Sequence, residues 1–146
     1  MAFKFSTGVR KQLCFTGSLK SILDGSVLRL YGGVVPEHAD SSLSGATLLC
    51  EIKAGSNTVT FQASGTSPTL TKNLSEVWQG DVLANGVPTF FRLLKESDGG
   101  NTTDSEIRVQ GTVGGPADDL TISNPTLVMG APQRIEYFAI SILEQA

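Results

Sequence analysis

The sequence contains little of the chemistry on which most catalytic and metal-binding sites depend. Among its 146 residues there is one histidine, His38, and there are two cysteines. His38 stands near Asp40 and Ser41, but Ser-His-Asp sites are assembled from distant segments, so this local grouping favours a solvated loop histidine. One histidine and two separated cysteines do not provide the usual four ligands of a structural zinc site. We therefore predict a protein that is not an enzyme and that holds no metal or cofactor.

The two cysteines, Cys14 and Cys50, form no CxxC pair and lie far apart in the chain. Each has apolar neighbours, which predicts ordinary buried thiols, whereas a disulfide framework would need more cysteines and an oxidising compartment. The first residues lack the apolar segment of a secretory signal, and no apolar run approaches the ~18 residues of a membrane span. These features predict a soluble protein that is made in a reducing cytoplasm and binds no membrane.

Charged residues are also scarce. They make up 17% of the chain, against roughly 25% in average soluble domains. The net charge is −3. The Lys and Arg residues are scattered apart from a small group at Lys4, Arg10, Lys11 and Lys20, and they form no basic face of the kind typical of proteins that bind nucleic acid. Nucleic acid is therefore not an expected partner. Because the cores of protein–protein interfaces are depleted of charge, the low charge content instead favours assembly with other protein subunits.

Two acidic turns are candidate calcium loops, SDGGNTTD (97–104) and GGPADD (114–119). Carboxylate oxygens in a glycine-bearing loop are suitable calcium ligands, but the spacing does not match the EF-hand pattern. Asp and Asn are also ordinary turn formers, because their side chains bond to the nearby backbone. The pattern therefore favours turns over a metal site.

What the sequence does contain is a series of short segments rich in Val, Ile, Thr and aromatic residues, separated by Gly- and Pro-rich turns. The predicted strands cover 26–32, 46–52, 58–63, 69–73, 89–96, 106–113, 120–123, 126–130 and 134–142. Such strands without long helices predict an all-β fold, a single antiparallel β-sandwich (jelly-roll-like) over residues 26–146. Residues 1–25 are predicted to form an N-terminal arm with short helical turns. Gly17 interrupts this arm, and a short helix follows Ser18 and ends before Gly25.

The alternation of side chains predicts which face of a strand is buried. Ile107, Val109 and Val113 alternate with Arg108 and Gln110. The apolar side chains are expected in the core, and the polar ones are expected to face water or a partner. The segment 134–142 shows a similar alternation.

Several aromatic residues have no fixed place in this pattern. Phe3, Phe5 and Phe15 lie in the arm, where they either dock on a neighbouring subunit or fold back over the chain's own sandwich. Trp78 lies outside the predicted strands, either as a core residue beneath a loop or as a contact for a partner. The predicted partner-binding residues, which include two basic residues of the arm, are Phe3, Lys4, Phe5, Arg10, Phe15 and Trp78.

Blocks of the sequence resemble a small family of virion structural proteins from tailed bacteriophages. The opening MAFKFSTGVRKQLCFTGSLKSILDGSVLRLYGGVVPEHAD is similar to the family's short arm and the alternating hydrophobic and basic block that follows it. The segments TFFRLLKESD and IRVQGTVGGPADDLTISNPTLVMGAPQRIEYFAISI resemble the family's closing strands. The resemblance covers most of the chain and brings no catalytic motif with it.

The resemblance implies a place in the phage particle. The leading expectation is a capsid cement or decoration protein, a homo-oligomer (dimer or trimer) that binds the major capsid protein after synthesis in the host bacterial cytoplasm. One alternative is a ring-forming component of the tail or head–tail junction. Another is a carbohydrate-binding β-domain of a receptor-binding fibre, which predicts exposed aromatic residues and carboxylates together at one end of the fold.

Overall fold

The structure is a computed structural model that describes residues 3–63 and 65–142. Two short helices lie near the N-terminus, and the remaining elements are strands. In chain order the elements are β1 (Lys4–Phe5), α1 (Thr7–Phe15), α2 (Leu19–Leu23), β2 (Ser26–Gly33), β3 (Ala46–Ala54), β4 (Phe61–Ala63), β5 (Thr69–Lys72), β6 (Trp78–Asp81), β7 (Phe90–Lys95), β8 (Arg108–Gly114), β9 (Leu120–Thr121), β10 (Pro132–Ile135) and β11 (Ala139–Ser141). Neither described helix has the length and hydrophobicity of a membrane span.

The strands form two sheets. The large sheet has the order β1-β8-β7-β2-β3-β6-β10, and the small sheet has the order β11-β5-β4. All neighbours in these two paths are antiparallel, while β9 runs parallel to the end of β8. The predicted all-β sandwich is confirmed, with one short parallel pair added to it.

Aromatic rings fill the core between the two sheets. Phe138, from the connection between β10 and β11, lies 5.4 Å from Phe91 of the large sheet and 6.2 Å from Phe61 of the small sheet, measured between ring centroids. Trp78 is fully buried, lies 5.9 Å from Phe138, and donates its indole N–H to Glu76 at 3.0 Å. Of the two roles considered for Trp78, the structure therefore places it in the core.

The N-terminal segment is part of the same body. β1 pairs with β8, and Val9 of α1 and Leu23 of α2 are fully buried. Helix α2 has the predicted start, because Ser18 and Ser21 form a reciprocal capping box. The predicted interruption at Gly17 separates it from α1. The boundary near residue 25 is therefore not a boundary of the hydrophobic core.

Two strand predictions were wrong and two strands were missed. Residues 126–130 form no strand, because only Leu127 pairs, in an isolated bridge with Gly86. The predicted single strand 134–142 is two strands in different sheets, β10 and β11. The missed strands are the short β1 and β6. The sequence of β6, WQGD, contains Gly and Asp, which have low strand propensity. A Cβ on Gly80 of β6 would lie 1.9 Å from the Glu51 carbonyl oxygen, so the glycine permits this close pairing.

Candidate functional site

The face of the large sheet that was predicted to meet water or a partner is covered by the chain itself. Arg108 and Gln110 are each 1% exposed, so the predicted exposure of these residues is wrong. Arg92 of the neighbouring strand β7 is fully buried. On the same sheet, Phe90 stacks on Tyr31 with 5.1 Å between ring centroids. The physical reason is that the loop between β2 and β3 lies over Arg92, Arg108 and Gln110 and accepts hydrogen bonds from them.

Arg108 forms a buried ion pair with Asp98, from the loop between β7 and β8. Its Nε and Nη2 atoms donate to the two carboxylate oxygens of Asp98 at 2.6 and 2.8 Å. Burial alone would raise the pKa of Asp98, but hydrogen bonds from Arg108 and the Gly100 amide and the nearby positive charges outweigh it and hold the pKa below its ordinary value. The acidic turn considered for calcium thus uses Asp98 to bind an arginine. In the described part of the chain, no three His, Cys, Asp or Glu residues are grouped as a metal site would require.

Arg92 is also buried, but no carboxylate of the described residues accepts a hydrogen bond from it. Its Nε donates to Gln110 at 2.9 Å and its Nη2 donates to the Ser41 carbonyl at 2.8 Å. Its Nη1 has no partner among the described residues. Burial and the neighbouring charge of Arg108 lower the pKa of Arg92 to about 10. The guanidinium therefore depends on neutral oxygens, those of the Gln110 side chain and of the loop backbone, to offset its loss of hydration.

These donors hold a loop that has no helix or strand of its own. Six consecutive backbone carbonyl oxygens, from Pro36 to Ser41, each accept a hydrogen bond from a side chain of β1, β7 or β8. The pairs are Pro36 with Gln110, Glu37 with Lys4, His38 with Arg92, Ala39 with Arg108, Asp40 with Arg108, and Ser41 with both arginines. The loop position is thus determined by the sheet beneath it.

Three of the predicted contact residues line one surface cleft beside this loop. Lys4, Phe5 and Arg10 share the cleft with Glu37, His38, Ala39 and Asp40. Lys4 donates to the Glu37 carbonyl at 2.6 Å, and the Asp40 carboxylate accepts from the Thr7 amide at 2.8 Å. Cations and carboxylates are equally numerous in this cleft, so it has no marked preference for either charge.

The other predicted contact residues do not join that cleft. Phe3 packs edge-on against Phe91 and Phe138, each at 6.1 Å, so this part of the arm folds back over its own sandwich. Trp78 is in the core, as described above. Phe15, at the end of α1, is 82% exposed and remains available for a partner.

The two thiols differ, although both were predicted to be buried. Cys50 is buried, and burial raises its pKa to about 12. Cys14 is exposed, so the prediction for it was wrong. The buried residues of α1 are Gly8 and Val9, which leaves the rest of this short helix, including Cys14, on the outer side.

A surface of exposed apolar side chains lies where three loops meet. We call it the loop-end patch, and its residues are Val34, Val35, Leu83, Val87, Val128 and Met129, each between 41% and 71% exposed. Hydrogen bonds join the loops: the backbones of Gly86 and Leu127 form a bridge, and the Met129 amide donates to the Asn85 side-chain Oδ1 at 2.7 Å. Thr89 Oγ1 donates to the Gly33 carbonyl at 2.9 Å. The patch is therefore held together by the fold.

The loop-end patch also lacks charge. No Asp, Glu, Lys or Arg occurs in residues 30–36, 82–91 or 120–133. Exposed apolar groups without charges are typical of protein contact surfaces. These residues were not among the predicted contacts because their segments were predicted to form turns or a strand. The available signal was the presence of Val, Leu and Met inside segments bounded by Gly and Pro, where solvated turns usually carry polar residues.

The arrangement of these surfaces suits non-covalent binding to other macromolecules. No family model, no curated protein and no solved structure matches this chain.

Proposed function

We propose that this protein is a non-enzymatic structural subunit of a tailed-bacteriophage particle, and in the first place a capsid cement or decoration protein. The loop-end patch is the observation that carries the assembly part of the proposal. The patch presents six exposed, uncharged apolar side chains on a hydrogen-bonded framework, and their burial by a partner is energetically favourable. The resemblance of the sequence to phage virion proteins supports the place of assembly.

The size of the loop-end patch suggests how such a subunit would bind. Full burial of a Val, Leu or Met side chain contributes roughly 1.5–3 kcal/mol, so a half-exposed one still has about 1 kcal/mol to gain. Six such side chains contribute several kcal/mol, which is comparable with the ~4–15 kcal/mol that association costs. One patch alone therefore gives weak binding. A particle-bound protein overcomes this when each copy contacts two or more capsid subunits, because the second contact forms at a high effective concentration.

Phe15 offers a second contact of this kind. It is the most exposed of the large apolar side chains of the described residues, and it lies on α1 rather than on the three loops of the patch. Two apolar surfaces on different elements of the domain would allow a copy to join neighbouring capsid subunits. Two such contacts would favour a cementing role over simple attachment at one point.

The proposal is tested with purified particles that lack the protein, to which wild-type or variant protein is added back. Met129→Glu and Val87→Glu place a carboxylate in the loop-end patch, and Leu74→Glu makes the same kind of change at an exposed apolar residue outside it. Burial of an unpaired carboxylate is unfavourable by several kcal/mol, so we expect the patch variants to bind at least tenfold more weakly. The control should bind like the wild type.

Three results would contradict the proposal. Equal binding of wild type and patch variants would show that the patch is not the contact. Unchanged heat resistance of particles without the protein would exclude a cementing role. Imaging that places the protein in a ring at the tail or head–tail junction would favour that alternative over the capsid shell.

A further inference from the structure

A cleft of about 430 Å³ lies between β9, with the residues that follow it, and the connection from β10 to β11. It exists because the chain leaves the large sheet at Ile135 and enters the small sheet at Ala139. In this connection Phe138 points into the core, and its carbonyl accepts from the Lys72 amide at 2.8 Å. Tyr137 is 62% exposed and lines the cleft.

The floor and the rim of the cleft differ in polarity. Leu120, Ile122 and Phe138 line it with buried apolar side chains. The polar residues that line it, together with the ring of Tyr137, are Asp119, Thr121, Ser123, Arg134 and Glu136. An apolar floor with a small number of polar groups around it is the usual composition of a small-molecule site.

The charged side chains of the rim each have at least one partner, whereas two neutral hydroxyl groups have none among the described residues. Arg134 Nε lies 3.1 Å from Glu136 Oε1, and Asp119 Oδ2 accepts from the Thr112 amide at 2.9 Å. The other oxygen of Asp119 has no hydrogen-bond partner among the described residues, but it is buried and therefore not accessible to a ligand in the cleft. The hydroxyl groups of Tyr137 and Ser123 also bond to no described residue. A ligand that both donates and accepts hydrogen bonds, and that brings no net charge, is therefore the best complement.

We propose that this cleft binds a neutral saccharide. A sugar ring presents an apolar C–H face, which packs on the negatively polarised face of an aromatic ring such as Tyr137. Its hydroxyl groups can exchange hydrogen bonds with the hydroxyl groups of Tyr137 and Ser123, so these two unpaired groups gain partners. The site uses residues outside the loop-end patch, and the inference does not depend on the assembly proposal.

The test uses the full chain, labelled with ¹⁵N, and defined saccharides as probes: maltotriose, cellotriose, chitotriose and lactose, together with a glycan array. We expect at least one saccharide to cause saturable shifts of the amide resonances of residues 119–123 and 134–139. Tyr137→Ala should weaken this binding roughly three- to tenfold, because the aromatic contact is lost. Tyr137→Phe keeps the ring and should bind more tightly than Tyr137→Ala.

The matched control is Phe15→Ala, which removes the other strongly exposed aromatic ring and should leave saccharide binding unchanged. The inference is overturned if no saccharide of the panel shifts these resonances and no glycan of the array binds. It is also overturned if Tyr137→Ala binds saccharide like the wild type. It is also wrong if Tyr137→Ala loses only binding to particles, since the cleft then contacts protein. Saccharide binding that persists in Met129→Glu would separate this site from the loop-end patch.

Discussion

Replacing Asp98 with Asn is the sharpest test of what holds the large sheet to its covering loop. In the wild type, Asp98 and Arg108 form an ion pair whose side chains are 2% and 1% exposed. The substitution keeps the size of the side chain and removes its charge. Arg108 then lies beside the equally buried Arg92 without the carboxylate that compensates it.

The expected effect is large because the remaining charge cannot return to water without unfolding. Breaking a buried ion pair by removing one partner costs about 3–5 kcal/mol. Domains of this kind are stable by roughly 5–15 kcal/mol in total, so the variant should lose a large part of its stability. With a urea slope of about 2 kcal/mol per M, the midpoint should fall by roughly 2 M at an unchanged slope.

Urea unfolding of Asp98→Asn is compared with Asp104→Asn, which makes the same chemical change in an exposed pair. Asp104 lies 3.7 Å from Lys11, and both side chains are more than half exposed. Such surface pairs contribute at most about 1 kcal/mol. A loss below about 1 kcal/mol for Asp98→Asn would refute the argument that this charge pair is structurally required.

The same variant should also change the acid response. The pKa of Asp98 is lowered from its ordinary value of 3.8, so the native state holds this proton less tightly than the unfolded chain does. The stability that the lowered pKa of Asp98 contributes is present above pH ~4 and is lost as the pH falls through the pKa of Asp98 in the folded protein. Asp98→Asn has no such proton, so the difference in free energy of unfolding between wild type and variant should shrink below pH ~4.

Two further predictions concern packing and thiol access. Gly8→Ala should destabilise the protein by about 1–3 kcal/mol in thermal unfolding, because the new Cβ would lie 2.4 Å from the Glu106 carbonyl oxygen. The control Gly115→Ala should be nearly neutral, because a Cβ at that position meets no atom within 4 Å. An alkylating thiol reagent should modify the exposed Cys14 in the native protein and the buried Cys50 only after unfolding, as mass spectrometry would show; equal rates would contradict the structure.

The elements that could be predicted from the sequence are those in which local signals agree with the fold. Ser18 before an apolar turn and Gly25 after it predict helix α2, and Gly25 indeed has the positive φ of 88° that a helix end favours. The strands β2, β3 and β7 combine strand-forming residues with clear turns on both sides. Each of them lies close to its predicted range because nothing distant overrides the local preference.

The failures have a different physical origin, which is tertiary contact. Residues 134–142 have a continuous strand pattern, yet the chain changes sheets at Tyr137. The cause is the packing of Phe138 against other aromatic rings in the core. Arg108 and Gln110 alternate with apolar residues as solvent-facing residues do, and it is loops distant in the chain, near Pro36 and Asp98, that make their face an interior. Long-range burial of polar groups leaves no trace in the periodicity of a single strand.

The buried arginines also affect the outer surface of the molecule, because they bind the loop that begins beside Val34 and Val35. Val34 and Val35 of the loop-end patch directly precede Pro36, the first residue whose carbonyl is held by the sheet. The loop has no helix or strand, and its position depends in large part on the hydrogen bonds that it accepts from Arg92, Arg108 and Gln110. The face with Arg108 and Gln110 was predicted to meet water or a partner. It instead supports the loop that begins with Val34 and Val35 of the loop-end patch. If the patch binds capsid subunits, a loss of charge beneath the loop should weaken that binding without altering any residue of the patch.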